Sequence, residues 1–468
     1  MRLTRRELLV GAAASAVAGG GIYELVDRLG RSPARAAAVR FPHEQHVLKG
    51  LRVVRDDGIE VIVPPLHHRI VTAKLRVSDD RASLTAARAE LEHTLRAVED
   101  GHDPTPAGLG VTLGWGLPYF ERYLAGPAAE HIPVDVRASR AAGRRVQALT
   151  HAIRFPSDPD SVVLEHNDVA LLLRSDERAA VEDAAKKLLA LDLLEPTSVR
   201  VGFAGGGFEG GMSLPKRMAL AAKIPGADLI PATAELFLGF TSTQKAGLGP
   251  TRIANFETLG YTNAAGGYFA GGTHMALSHI FEDLEAWYLT FDFRDRVDTT
   301  FEPGLKAKPG AQTIRQTAKD VASVAQVART FHKSGTIGHS ASIQTTSRLV
   351  EDVRGTDGVV YRKGTAIPHR ADFNTLDNPF AWSSRPELDA MSDEPAAGVH
   401  FVVFNPTSDD FRRNRLAMDG RLPDGTKLPF QPGARGQGLN SVLKTTHRQN
   451  FLVPPRRHRS FPLVDLLT

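Results

Sequence analysis

The first half of the chain alternates between patterns typical of strands and of helices. Residues 70–77 alternate apolar and polar side chains with period two, as a half-buried strand does. Residues 84–98 repeat apolar side chains at helical spacing, and we expect this helix to begin in a capping region at Ser83. Its apolar face carries Leu84, Ala87, Leu91 and Leu95. Further strand patterns occupy 60–63, 108–116 and 162–173, and a second amphipathic helix occupies 178–191. The order strand–helix–strand–strand–helix predicts a ferredoxin-like unit.

The second half also combines strand patterns with helix patterns. Strand patterns occupy 273–280 and 398–405, and helix patterns occupy 281–291, 313–330 and 409–418. A glycine-rich segment at 202–211 predicts a boundary between the two units. We therefore expect an α+β protein with a ferredoxin-like domain at 39–205 and a second at 206–468.

The N-terminus predicts export. The run from Thr4 to Leu9 contains the twin-arginine pair Arg5-Arg6, and an uncharged stretch rich in alanine and glycine follows it. Small residues at 34–38 offer cleavage sites, so residues 1–38 are predicted to be a twin-arginine signal. The protein would then reach the periplasm, the cell surface or the medium. An uncleaved signal would instead associate the chain with a membrane.

Composition removes several classes of function. The 468 residues carry a formal net charge of +4 with scattered basic residues, which gives no support to nucleic-acid binding. Cysteine is absent, which excludes thiolate ligands, disulfides and cysteine nucleophiles. The pairs His67-His68 and His43-x-x-His46 favour surface histidines over a metal site, because no carboxylate cluster accompanies them. The three tryptophans are predicted to be core or interface aromatics: Trp115, Trp287 and Trp382.

Four segments resemble, in the same order, those of the dye-decolorising peroxidases. They are Gly110–Gly116 with Phe120-Glu121-Arg122, residues 166–173, residues 272–287, and residues 398–411. The resemblance covers most of residues 41–468. It implies two ferredoxin-like domains arranged like a dimeric α/β barrel, with one haem b per chain held mainly by the second domain. It also leaves a homo-oligomer open.

Two residues complete the resemblance. His339, in Ile337-Gly338-His339-Ser340, matches the family's axial haem ligand, and Arg362, in Val360-Tyr361-Arg362-Lys363-Gly364, matches its distal arginine. A neutral imidazole binds haem iron, and a guanidinium above the iron stabilises the charge that develops when peroxide is cleaved. Taken without the resemblance, each residue would be assigned to an ordinary surface or hydrogen-bonded position.

One motif departs from the family. Gly207, Phe208, Gly211 and Pro215 match its glycine-rich signature, but Gly210 stands where the family has a catalytic aspartate. Glycine cannot transfer a proton, which peroxide cleavage requires. Glu209 is adjacent and could substitute, although neighbouring residues in an extended segment point in opposite directions.

The resemblance thus implies an exported haem-dependent peroxidase, impaired at its acid–base position. Its partners would be hydrogen peroxide and a small aromatic or phenolic donor. Two alternatives stay open: a haem-binding or haem-handling protein without turnover, and a haem-free protein that keeps the fold and binds another ligand.

Overall fold

A computed structural model of the chain describes residues 22–30, 40–56, 59–124, 126–204, 211–240, 267–311, 322–355, 358, 360–377, 395–429, 431 and 437–467. Its helices are α1 Glu24–Leu29, α2 Arg81–Glu99, α3 Leu117–Tyr123, α4 Val136–Ala142, α5 Arg178–Leu189, α6 Leu214–Ala221, α7 Leu284–Thr290, α8 Phe293–Thr300, α9 Val324–Ser334, α10 His339–Gln344 and α11 Ser408–Met418. Its strands are β1 Arg52–Asp56, β2 Ile59–Val63, β3 His67–Leu75, β4 Gly110–Gly116, β5 Val163–Leu164, β6 Val169–Ser175, β7 Leu194–Phe203, β8 Thr273–Glu282, β9 Val353–Arg354, β10 Val360–Tyr361, β11 His369–Arg370, β12 Phe373–Thr375, β13 Gly398–Asn405 and β14 Leu443–Val453.

The first half forms a four-stranded antiparallel sheet in the order β7-β3-β6-β4. Helix α2 connects β3 to β4, and α5 connects β6 to β7. Each crossover places its helix on the same face of the sheet, as a βαββαβ unit requires. This confirms the ferredoxin-like unit predicted for the first half.

The second half repeats that order. Strand β14 pairs with β8, β8 with β13, and β13 with β12, all antiparallel. Helices α7 to α10 lie in the chain between β8 and β12, and α11 follows β13. The second ferredoxin-like unit is therefore confirmed as well.

The two sheets close into one barrel through two seams. Asn374 of β12 pairs with Phe203 of β7, and Leu452 of β14 pairs with Trp115 of β4. The ring runs β12-β7-β3-β6-β4-β14-β8-β13 and returns to β12. Closure leaves neither sheet with a free edge along the ring. Each strand therefore turns one face to the barrel interior and the other to the helices outside.

Helix α2 confirms the prediction for residues 84–98, and Leu84, Ala87, Leu91 and Leu95 are buried as expected. Its N-cap is Asp80, whose side chain accepts a hydrogen bond from the backbone N–H of Ser83 at 2.9 Å, so Ser83 itself is not the cap. Trp115 and Trp287 are fully buried core residues, as predicted, while Trp382 lies outside the described residues.

The start of the second half differs from expectation. Strand β8 continues to Glu282, two residues beyond the predicted end, and the helix predicted from residue 281 begins at Leu284. Phe281 and Glu282 stay in the sheet because they pair with Gly398 and Leu443. The helix predicted at 313–330 is described as α9, and residues 312–321 lie outside the described chain.

Several histidines predicted at the surface are buried. His46, His67 and His68 have exposed fractions of 1%, 6% and 1%. Barrel closure buries His68, whose ring stacks on that of Phe373 in β12. His67 is covered instead by the segment at 22–30, since its Nε2 lies 2.6 Å from Asp27 Oδ1, and His46, which lies outside the strands, packs against Phe404. A row of three more histidines crosses the strands, because His279 pairs directly with His400 on one side and His447 on the other.

Part of the predicted signal, residues 22–30, is described and lies against the barrel. Ile22, Leu25 and Val26 are buried, and the Tyr23 hydroxyl donates to Asp377 Oδ1 at 2.7 Å. Among the described helices, none is long and apolar enough to cross a bilayer.

Candidate functional site

A cavity lies between the outer face of the second sheet and helices α10 and α11. With its mouth it holds about 1320 Å³ of space that no atom fills. Most of the lining is apolar, with a few polar side chains, as in pockets that bind small molecules. The apolar lining residues are Leu236, Leu238, Phe240, Ile280, Ile343, Ala366, Pro368, Val399, Phe401, Phe411, Met418, Leu439 and Leu443. The charged or ionisable ones are Glu282, His339, Arg370, Asp372, Arg415 and Arg448.

Strand alternation decides which residues form the sheet wall. Ser278, Ile280 and Glu282 of β8 face the cavity at every second position, while His279 between them faces the barrel interior. On β14 the pairing register shifts between Thr445 and His447. This bulge brings Arg448 onto the same face as Thr445, three residues earlier.

The opposite wall is helical. Phe411, Arg415 and Met418 follow one another at spacings of four and three, which places them on one face of α11. On α10, His339 is the first helical residue, and the N–H of Ala341 donates to Phe301 O at 3.0 Å. A side chain at Gly338 would put its Cβ 2.3 Å from the same Phe301 oxygen, so only glycine permits this close approach.

The His339 ring opens to the cavity and is neutral. Burial, and then the nearby charges of Arg370 and Arg415, lower the pKa of His339 to about 3. Nδ1 is buried and has no hydrogen-bond partner among the described residues, yet the residue as a whole retains accessible surface. A neutral imidazole with an accessible edge is the form that binds a metal.

Two of the cavity arginines share a buried carboxylate. Arg448 Nη2 donates to Asp158 Oδ1 at 2.8 Å, and Arg415 Nη2 lies 3.5 Å from the same oxygen. Burial alone would raise the pKa of Asp158, but the hydrogen bonds and charge of Arg448, with the charge of Arg415, lower it below its usual value. Asp158 comes from the first half of the chain, so it ties the cavity wall to that half.

The remaining arginine lies on β11. Arg370 Nη1 is 3.8 Å from Asp372 Oδ2, and Asp372 Oδ1 accepts the backbone N–H of Val402 at 2.8 Å. Arg370 therefore presents its charge from the sheet side, opposite the helix that carries His339.

Glu282 is a buried acid on the sheet wall. It is 6% exposed, and its Oε2 has no hydrogen-bond partner among the described residues. Burial raises the pKa of Glu282 to about 8, so the carboxyl group is protonated at neutral pH.

The residues predicted from the sequence do not all meet here. His339 lines the cavity. Arg362 lies at the short β9–β10 hairpin, where its side chain is 77% exposed and Nη1 contacts Asp352 Oδ2 at 2.5 Å, and it does not line the cavity. Glu209 and Gly210 lie outside the described residues.

Five charged residues of the cavity were not predicted: Glu282, Arg370, Asp372, Arg415 and Arg448. For Glu282 a signal was present, because period-two alternation continued from residue 273 would have placed it on the face of Ser278. For Arg448 it was not, because the bulge that reverses its direction has no mark in the sequence.

The side chains present fit a haem group. A flat apolar cofactor between sheet and helices would find a neutral nitrogen ligand on one side and cations near its edge. Metal-bound histidines usually donate their second N–H to an acceptor, and His339 Nδ1 has none among the described residues. The neutral imidazole of His339 is thus suited to binding haem iron, but no described residue accepts a hydrogen bond from its Nδ1.

Solved structures similar to this chain include three peroxidase-type proteins. An encapsulated DyP-type peroxidase from Mycobacterium smegmatis is 12% identical with a TM-score of 0.48, covering 84% of this chain and 93% of that one. A dye-decolorizing protein from V. cholerae is 14% identical with a TM-score of 0.46, covering 87% and 98%. A DypB variant from Rhodococcus jostii RHA1 in complex with heme is 12% identical with a TM-score of 0.47, covering 85% and 95%. These sequence identities and TM-scores are too low to support an argument about activity. The fold assignment rests on the strand order itself.

No curated protein sequence matches the chain. One family model does match, over residues 65–455, which include every strand of the barrel ring and the whole cavity. The chain belongs to DUF7405, a family of unknown function.

Proposed function

We propose that this protein binds one haem b in the cavity of its second half and uses it to react with hydrogen peroxide. The observation that carries the proposal is the neutral His339 ring, which opens into an apolar cavity between a helix wall and a sheet wall. When bound, haem supplies redox chemistry at its iron.

His339 would bind the haem iron in this proposal. Its pKa of about 3 keeps the imidazole unprotonated at every pH at which the protein would work. Arg415 and Arg448 are already engaged by Asp158, so they contribute fixed positive charge near the cofactor's carboxylates. The apolar side chains exclude water from the reacting face.

Arg370 is the proposed distal cation. It faces the cavity from the sheet, whereas the sequence-based candidate, Arg362, points into solvent. A guanidinium there would stabilise negative charge on peroxide as the O–O bond breaks. Arg370→Ala should slow the peroxide reaction by about 10²-fold while leaving haem bound.

The second substrate would be a small aromatic or phenolic donor. Two donors each lose one electron while one hydrogen peroxide takes up two electrons and two protons to give two water molecules. Glu209 stays a prediction for the proton transfer that this requires.

A second candidate function is haem binding without turnover. The observation that favours it is His339 Nδ1, which has no acceptor among the described residues. Without such an acceptor, the imidazole would donate less electron density to a bound metal, which would slow peroxide cleavage.

The test is an absorption spectrum of the protein purified with adequate haem supply. We expect a Soret band in the wild type and in His332→Ala, because His332 is exposed on α9, and none in His339→Ala. Peroxide and a phenolic donor then separate turnover from mere binding. A His339→Ala protein that keeps its full haem content would overturn the ligand assignment. A folded wild type without a band after added haem would leave the haem-free alternative.

We also infer export by the twin-arginine route, supported by Arg5-Arg6 and the apolar stretch after them. Replacing both arginines by lysine should keep the protein inside the cell, and cell fractionation measures this. Normal export of that variant would contradict the inference.

A further inference from the structure

Glu282 occupies a rigid position at the cavity. It is the last residue of β8, its backbone N–H donates to Ala397 O at 2.9 Å, and it pairs with Leu443 of β14. Two neighbouring strands therefore fix its Cα, and its side chain reaches the cavity from the sheet wall. This is the wall opposite His339.

No described cation neutralises it. Glu282 forms no ion pair with any described residue, although Arg370, Arg415 and Arg448 line the same cavity. The other titratable groups around it are His339 and Asp372 in the cavity and Tyr288 on α7. Arg448 and Arg415 are directed to Asp158, and Arg370 lies beside Asp372, so none of the three forms an ion pair with Glu282.

A buried acid in this setting keeps its proton. Desolvation disfavours the carboxylate and raises the pKa of Glu282 to about 8. Leaving such a group in a structural core is costly, because an unsatisfied polar oxygen loses its bonds to water. Buried groups with displaced pKa values that face a cavity are candidates for acid–base chemistry.

We propose that Glu282 is the proton donor of this cavity, and that it delivers its proton to the oxygen of hydrogen peroxide that departs as water. The inference rests on the haem-dependent peroxide reaction proposed above. It supplies, from a strand of the second half, the acid that Gly210 cannot provide.

The step balances as follows. Hydrogen peroxide releases one proton to solvent as it binds, and Glu282 donates one proton to the outer oxygen. Cleavage of the O–O bond takes two electrons, which a bound haem would supply, and the outer oxygen leaves as water. Two phenolic donors then each return one electron and one proton, and the inner oxygen leaves as a second water. Solvent returns a proton to the Glu282 carboxylate.

The experiment compares Glu282→Gln with Glu285→Gln, an exposed acid three residues further on α7. Glutamine has the shape of glutamate, so we expect both variants to fold and to take up haem with the wild-type spectrum. The rate of the single-turnover peroxide reaction should fall by about 10²-fold in Glu282→Gln and stay unchanged in Glu285→Gln. In the wild type this rate should fall as the pH rises through about 8, and Glu282→Gln should lose that pH dependence.

A second measurement does not depend on turnover. The infrared carbonyl band of protonated carboxylic acids should contain a component that persists at neutral pH, disappears above about pH 8 and is missing from Glu282→Gln. Buried Asp377, whose pKa is raised to about 7, contributes a separate component that this variant keeps. Glu282→Asp, which keeps the acid one methylene further away, should recover part of the rate.

The outcomes separate the two proposals. A wild type that binds no haem, or that binds it without reacting with peroxide, overturns both. A wild type that reacts with peroxide, with Glu282→Gln equally fast at every pH, overturns only the role of Glu282. Absence of the Glu282 component of the carbonyl band at neutral pH also overturns that role.

Discussion

The two halves of the barrel share one strand order but finish the outer face of their sheets differently. In the first half, α2 and α5 cover the sheet with a cluster of buried leucine, valine, alanine and aromatic side chains. In the second half, α10 and α11 stand over a cavity whose walls carry His339, Glu282 and three arginines. Topology alone therefore does not locate the site. The candidate site lies in the second ferredoxin-like unit, where the helices leave a cavity over the sheet and polar side chains are buried around it.

The largest expected effect comes from the link between the halves. Asp158→Ala should lower the free energy of unfolding by about 3–5 kcal/mol, because it leaves Arg448 buried without its carboxylate. Urea unfolding measures this, with Asp160→Ala as the control, since Asp160 is 98% exposed.

The same pair predicts a pH dependence. The native pKa of Asp158 is lowered, so the stabilisation is present above the unfolded pKa and is lost as the pH falls through the native one. If the free energies of unfolding of the wild type and Asp158→Ala differed by the same amount at every acidic pH, the ion pair would not titrate as described.

The next effect tests how well each half is packed. Leu95→Ala, on the filled face, should cost about 3 kcal/mol of unfolding free energy, because it opens a new void around a fully buried residue. Ile343→Ala, on the cavity wall, should cost about 1 kcal/mol, because its neighbour is already open space. Equal losses would mean that the second half is as closely packed as the first.

The Glu282→Gln substitution tests the buried acid of the second half through the pH dependence of the free energy of unfolding. The native pKa of Glu282 is raised to about 8, so protonation stabilises the folded state fully below the unfolded pKa and this stabilisation is lost as the pH rises through about 8. The haem-free wild type should therefore lose stability relative to Glu282→Gln as the pH rises from the unfolded pKa to about 8. Parallel unfolding curves for Glu282→Gln and wild type across that range would contradict the burial of this acid.

The smallest effect is expected at Arg362. Arg362→Ala removes an exposed ion pair with Asp352 and should change the free energy of unfolding by less than about 0.5 kcal/mol. Haem content and peroxide rate should also stay the same. A loss of rate in this variant would restore the distal role that the sequence suggested.

The periodicity of apolar residues predicted the helices and strands, but strand pairing determined where they end. The strand at 398–405 is β13 without change, and the helix at 409–418 is α11 with one residue added. The boundary between β8 and α7 was misplaced because partners on β13 and β14 hold Phe281 and Glu282 in the sheet. A local pattern contains no information about those partners.

The site was predictable only in part for a similar reason. His339 was found through resemblance, and its place in the cavity supports the proposed role without testing it. Arg362 and Arg370 lie eight positions apart, on a hairpin and on a strand at the cavity, and the sequence does not distinguish their exposure. The burial of His68 depends on closure of the barrel, and that of His67 depends on contact with the segment at 22–30, so both involve residues distant in the chain.

The seam between β4 and β14 has a consequence for synthesis of the protein. Trp115 pairs with Leu452, so β4 can meet this partner only after the chain between the two residues has been synthesised. Until then β4 presents an unpaired edge, to which other extended chains can add. We therefore expect the nascent chain to be prone to association until β14 has been synthesised and has docked on β4.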